Sequence, residues 1–65
     1  MKRNQRIIIY PKDVAIITGR SERYGRLIIQ RIKDKLGKEK HQLVTVEEFA
    51  EYVGLEVGIV TDLIS

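Results

Sequence analysis

The residues of this chain that are best suited to chemistry are its cations, and they are concentrated in one part of the sequence. All twelve Lys and Arg residues lie within the first forty positions. Set against four acidic residues, they give residues 1–41 a formal charge of +8, whereas residues 42–65 hold five acids and no Lys or Arg, which is −5. A cationic segment attracts a polyanion because each neutralised phosphate releases bound counterions. This segregation of charge predicts a polyanionic partner more strongly than the net charge of +3 does.

The centre of the basic segment has the pattern of a tight turn followed by an amphipathic helix over residues 22–36. Gly19 can take the positive φ that ends a preceding helix, and Ser21 can accept from the first N–H groups of the next one. At about 100° per residue, one face of the helix is apolar and consists of Gly25, Ile28, Ile29, Ile32 and Leu36. The opposite face is polar and mostly basic, with Arg23, Arg26, Gln30 and Lys33. Such a helix is suited to the groove of double-stranded DNA.

Three residues of this helix carry further expectations. Tyr24 and Leu27 lie at the two edges of the apolar stripe, and we expect partly buried supports there rather than contacts to a ligand. Gly25 costs about 1 kcal/mol relative to Ala inside a helix. Its presence predicts that another backbone packs closely against this point.

The flanking segments predict a small two-stranded β wing. Residues 6–10 are rich in β-branched side chains and end at Pro11, which indicates a short strand followed by a helix over residues 11–18. Residues 42–44 predict a second strand that pairs with the first, so that a wing occupies about residues 38–44.

The C-terminal helices are predicted over residues 45–64. Thr45 and Glu48 have the spacing of a capping box and predict a helix over residues 46–53, after which a last short helix spans 55–64. This region also repeats part of the earlier pattern 35 positions on, because Ala50 and Gly54 follow Ala15 and Gly19 at that interval. The repeated part lacks cations, and we expect it to support the fold or to contact another protein.

The order of these elements resembles the helix-turn-helix family of DNA-binding proteins. The resemblance covers about residues 10–49 and rests on Ala15 in the first helix, Gly19 at the turn, Ser21 two residues later and Ile28 in the second helix. With a strand before and a strand and helix after, the chain is similar to the compact winged domains of excisionases and MerR-type regulators. This resemblance implies a mainly α fold with a two-stranded wing, a single domain over residues 1–65 and a core motif over 11–36.

The function expected from these features is sequence-specific binding of double-stranded DNA through the basic helix, by a transcriptional regulator or an accessory factor in recombination. By the resemblance, the recognition helix includes Ser21, Arg23, Tyr24, Arg26 and Gln30. The predicted DNA-binding set adds the neighbouring cations and is completed by Arg20, Lys33, Lys38 and Lys40. Lys2, Arg3 and Arg6 would extend the same surface if they converge on it.

Catalytic and metal-binding patterns are missing from the sequence. The chain has no Cys, its one histidine is His41 in a predicted loop, and it lacks a glycine-rich phosphate loop. We therefore expect neither an enzyme nor a cofactor. The longest aliphatic run, Ile7 to Ile9, is far shorter than the roughly 20 residues that span a bilayer, and a cytoplasmic location is the expectation.

Two other functions are compatible with the same residues. The acidic C-terminal half could belong to a protein-interaction module that binds a basic or apolar partner, and the basic helix could bind structured RNA. A domain of 65 residues buries only about 60% of the surface of its unfolded chain. We therefore expect apolar residues within 55–64 to form a homodimer or to contact a partner protein.

Overall fold

Four helices form in residues 7–64, the part of the chain that this computed structural model describes. They are α1 (Pro11–Thr18), α2 (Glu22–Leu36), α3 (Val46–Val53) and α4 (Val57–Ile64). The predicted bounds of α1, α2 and α3 are confirmed, and α4 begins two residues later than predicted. The mainly helical class is also confirmed. The expectations for Lys2, Arg3 and Arg6 concern positions outside the described residues.

The prediction of a β wing is wrong for the described residues. The two segments meet in one isolated antiparallel bridge between Ile8 and Thr45 instead of in a ladder over residues 42–44. The Ile9 N–H donates to the Val44 carbonyl at 3.0 Å, and the Val46 N–H donates to the Ile7 carbonyl at 2.8 Å. α1 begins at Pro11 and α3 at Val46, so a helix starts within three residues of the bridge in each segment. Residues 38–44 form a loop, in which the Gln42 N–H donates to the Glu39 carbonyl at 3.0 Å.

The turn between α1 and α2 follows the predicted chemistry. Gly19 has a φ of 72°, which favours glycine, and its N–H donates to the Ala15 carbonyl at 2.8 Å to end α1. Ser21 begins the next helix, because its hydroxyl oxygen accepts from the Tyr24 N–H at 3.1 Å. The connection is therefore only three residues long, and α1 packs most extensively on α2.

The close approach predicted at Gly25 is confirmed. A Cβ added to this residue would lie 2.9 Å from the Cα of Pro11 and still closer to its carbonyl oxygen. The first turn of α1 thus lies directly against the first half of α2. Any side chain at position 25 would have to displace backbone rather than a mobile side-chain end, so glycine sets the distance between these helices.

The hydrophobic core lies between the four helices and the bridge. Its buried members are Ile9, Val14, Ile28, Ile32, Val44, Val46, Phe49, Ala50, Val60 and Ile64. Leu36, which was predicted to lie on the apolar face of α2, is instead exposed, and so are Val53, Val57 and Leu63. They stand near the ends of their helices, beyond the region where the packed faces overlap. The small core therefore closes around the helix centres and leaves apolar side chains at the ends.

The 35-residue echo of the sequence corresponds to repeated geometry. The bounds of α3 are those of α1 shifted by 35 positions, and α4 begins 35 positions after α2. Gly54 has a φ of 81°, and its N–H donates to the Ala50 carbonyl at 2.9 Å, as Gly19 does to Ala15. The described chain is therefore built from two helix pairs, α1–α2 and α3–α4, each joined by a turn that begins at a glycine. The pairs contact each other, since α4 also packs against α1.

Candidate nucleic-acid interface

The face of α2 that points away from the core carries donors, acceptors and one aliphatic side chain. Its exposed residues are Arg23, Arg26, Leu27, Gln30 and Asp34, which we call the outer face of α2. The opposite side of the same helix is buried through Gly25, Ile28 and Ile32. The amphipathic division predicted from the sequence is thus present, with the exception that Leu27, expected to be a partly buried support, is exposed at 46%.

The N-terminal end of α2 holds three of the predicted binding residues together. The Arg20 guanidinium lies over the ring of Tyr24, 4.3 Å from its centroid, which is within the range of a cation–π contact. Tyr24 is half-buried and packs against the core. Ser21 caps the helix, and its exposed hydroxyl can also donate outward. The tyrosine therefore fixes the position of one cation beside the helix terminus.

Further along the outer face, Gln30 and Asp34 form a pair. The Gln30 side-chain amide donates to an Asp34 carboxylate oxygen at 3.1 Å. This contact uses one of the two N–H donors of the amide and leaves the Gln30 carbonyl oxygen and the Asp34 carboxylate as acceptors. The outer face consequently has two characters: donors near its N-terminal half, where Arg23 and Arg26 stand, and acceptors near its C-terminal half.

One flank of α2 borders a groove of about 270 Å³. From α2, the groove is lined by Arg26, Ile29, Gln30 and Lys33, and from the bridge and loop by Ile9, Tyr10, Pro11, Leu43 and Val44. The Lys33 ammonium donates to the Lys40 carbonyl at 2.8 Å, which ties the loop to this flank. Lys40 itself is exposed. The loop predicted to be a wing thus stays beside the basic helix and brings Lys40 near it.

Lys38 has a different environment from the other predicted cations. Its ammonium lies 3.1 Å from a carboxylate oxygen of Glu48, the residue that accepts from the Thr45 N–H at 2.9 Å. This backbone hydrogen bond, assisted by Lys38, lowers the pKa of Glu48, although partial burial opposes the shift. Lys38 is therefore engaged at the start of α3 instead of pointing along the outer face of α2.

The structure adds two residues that the sequence interpretation did not include in the site. Leu27 stands between Arg23 and Arg31, four positions from each, so an aliphatic side chain is exposed within a basic surface. Asp34 introduces a carboxylate there. The Gln30–Asp34 spacing of four residues is visible in the sequence and was the available signal for this pair.

No metal site is suggested within residues 7–64, where no three acidic or histidine side chains are grouped closely enough to hold an ion. Within the same residues, every helix is too short or too polar to cross a membrane. Comparisons of the chain with protein-family models, with curated proteins and with solved structures find no match.

Proposed function

We propose that this domain binds double-stranded DNA in a sequence-specific manner through the outer face of α2. The observation that carries the proposal is the exposure of Arg23, Arg26 and Gln30 on one side of a capped helix whose other side is buried against the core. The side chains that would meet DNA are thus distinct from those that hold the fold. The short turn at Gly19 and the close contact of α1 support the helix from behind.

Charge supports a polyanion as the ligand. Arg20, Arg23 and Arg26 lie on or beside the N-terminal half of α2, and Lys40 lies on the loop joined to Lys33. We expect Lys38 to contribute less, because Glu48 already neutralises it. Arg20, Arg31, Lys33 and Lys40 can therefore supply about four phosphate contacts, of the kind that position a protein on a duplex, while Arg23 and Arg26 are left for contacts to bases.

The sequence preference follows from the distribution of donors and acceptors. Arginine is the usual side chain for the paired acceptors of guanine in the major groove, so Arg23 and Arg26 are suited to G. The acceptors of Gln30 and Asp34 suit a base that presents an amino group there, which is adenine or cytosine. Leu27 between them can contact a thymine methyl. We propose that Asp34 also repels phosphates and thereby penalises binding at incorrect sites.

The proposed role is that of a transcriptional regulator or of an accessory factor in recombination. It rests on the resemblance of residues 10–49 to the helix-turn-helix family, to which the α1–α2 geometry adds support. A protein of this kind occupies or shapes its target and takes no cofactor.

The experiment that tests the proposal is a fluorescence-anisotropy titration of labelled duplex DNA at several salt concentrations. With about four phosphate contacts, log K should fall against log salt with a slope of roughly −3 to −4. Duplex RNA of the same sequence serves as the comparison. Absence of DNA binding at low salt, a slope near zero, or tighter binding to RNA would each contradict the proposal.

A further inference from the structure

Neither the backbone conformation nor the packing of the described residues requires a glycine at position 58. It lies in the first turn of α4, and a Cβ added there would meet no atom within 4 Å. The other glycines differ, because three have positive φ and Gly25 touches the Pro11 backbone. A helical glycine costs about 1 kcal/mol relative to Ala. As at Gly25, the missing side chain leaves room for another backbone or a bulky side chain to approach α4 at this point from outside.

The surface around Gly58 has the composition of a contact site. Ile59 and Leu63, one turn apart, are 47% and 49% exposed, whereas Val60 and Ile64 on the other side of the helix are buried. With Gly58 and Asp62 they form what we call the outer face of α4. Glu56 stands at its N-terminal edge. The face combines aliphatic side chains, a gap at the glycine and negative charge.

The charges indicate which surface of a second copy of this chain could cover the outer face of α4. Two outer faces of α4 brought together around a two-fold axis would bring Glu56 and Asp62 of one copy toward the same acids of the other, which is unfavourable. The outer face of α2 is the complement: Leu27 is exposed in its centre, with Arg23 and Arg31 on either side. An exposed leucine with an arginine one turn away on each side matches an aliphatic centre that has acids beside it, and Asp34 lies beyond this region, at the C-terminal end of the outer face of α2.

We propose that the outer face of α4 binds the outer face of α2 of a second copy of this chain, with Leu27 seated at the gap above Gly58. Because the two surfaces are different, the contact is head-to-tail. A pair joined in this way keeps one free face at each end and adds further copies as concentration rises. The contact is small and charged, which makes it weak and sensitive to salt.

A second part of this inference rests on the proposed function. If DNA occupies the outer face of α2, self-association and DNA binding use the same surface and exclude each other. Free protein is then held in associated form, and DNA releases single copies. The acidic half of one chain acts as a competitor for the DNA site of the next.

Sedimentation equilibrium of the full chain tests the contact without DNA. At about 0.01 M salt the mean mass should rise with concentration above twice the 7.5 kDa monomer, and at about 1 M salt it should return to the monomer. Leu27→Glu changes one face, and Gly58→Gln fills the gap on the other while improving helix propensity. Each should lower the association constant by at least about tenfold.

Mixing the variants provides the decisive step. Leu27→Glu retains an intact α4 face and Gly58→Gln an intact α2 face, so the mixture should form a pair that does not grow further. Leu36→Glu places the same change at an exposed site on neither face and should associate like the wild type. A monomeric wild type at low salt overturns the proposal. So does full association of Leu27→Glu, which indicates a symmetric α4 contact, or a mixture that stays monomeric.

Titration of duplex DNA into the associated protein tests the competition separately. Release of single copies bound to DNA supports it, whereas DNA bound by an assembly that stays intact contradicts it. If no DNA binds, the proposed function fails while the head-to-tail contact is still judged from sedimentation alone.

Discussion

Gln30 and Asp34 are joined by a hydrogen bond of 3.1 Å on the exposed face of a basic helix. A carboxylate at this position lowers the attraction of the helix for any phosphate, and it also determines which atoms Gln30 offers. A surface selected only for affinity to a polyanion would gain from a neutral residue there. Under the proposed function the pair is a source of discrimination between DNA sequences, and its removal gives the first test.

Asp34→Asn should strengthen binding to random duplex DNA by about two- to fivefold, the range for one exposed charge interaction. The ratio of specific to random affinity should fall at the same time. Anisotropy titrations on both kinds of duplex measure the two quantities. Glu47→Gln on α3 makes the same change in net charge away from the site and should leave both unchanged. Weaker binding to random DNA by the Asp34 variant would refute the assigned role.

Arg23→Ala and Arg26→Ala should each lose about 1 to 3 kcal/mol of affinity for the preferred DNA, because a paired contact to guanine is removed. Both residues are exposed, so the free energy of unfolding should change by less than about 0.5 kcal/mol. Lys35→Ala is the matched control, since its ammonium lies 5.8 Å from the centre of the Tyr52 ring, toward α3. Equal losses of affinity and stability would show that these arginines hold the fold.

Gly25→Ala should lower the free energy of unfolding by about 2 kcal/mol. Alanine gains about 1 kcal/mol in helix propensity, but its Cβ displaces the Pro11 backbone. Gly58→Ala is the counterpart in open space and should raise the free energy by about 0.5 to 1 kcal/mol. Chemical denaturation of the three proteins measures both effects. Two changes of the same sign would contradict this interpretation of the glycines.

The cap of α3 should make stability depend on pH. The pKa of Glu48 is lower in the folded chain, chiefly because its carboxylate accepts from the Thr45 N–H, and Lys38 adds to the effect. The resulting stabilisation is complete above the ordinary glutamate value of about 4.3 and is lost as pH falls below it. Glu48→Gln should flatten this part of the curve, whereas Thr45→Ser should preserve it. Parallel acid transitions for wild type and Glu48→Gln would contradict the expectation.

The helices could be predicted from sequence because their ends depend on local chemistry. Ser21 and Thr45 accept from N–H groups three residues later, and Gly19, Gly37 and Gly54 end helices through their own φ. The close packing at Gly25 could also be predicted, because a glycine destabilises a helix unless a close contact requires it, and here α1 makes that contact.

The wing and parts of the site could not be predicted in the same way. The bridge at Ile8 and Thr45 depends on where the two segments meet in the folded chain and on the helices that begin at Pro11 and Val46, which strand propensity does not report. The pairing of Lys38 with Glu48 depends on the path of the loop. Exposure of Leu27 and Leu63 depends on how far the packed helices overlap, which the periodicity of one helix does not contain.

The contact of Gly25 with Pro11 has a consequence for binding thermodynamics. Position 60, which is 35 residues later in the second helix pair, carries a buried valine, so that pair meets the core through a side chain. At Gly25 the first pair meets through backbone, which has no rotamers to lose, in addition to the packing of Val14, Ile28 and Ile32. The helix that carries Arg23 and Arg26 is thus preorganised, and its association with a rigid ligand avoids much of the ordering entropy that a mobile element would lose. We expect α2 to keep its amide-exchange protection almost unchanged when the ligand binds.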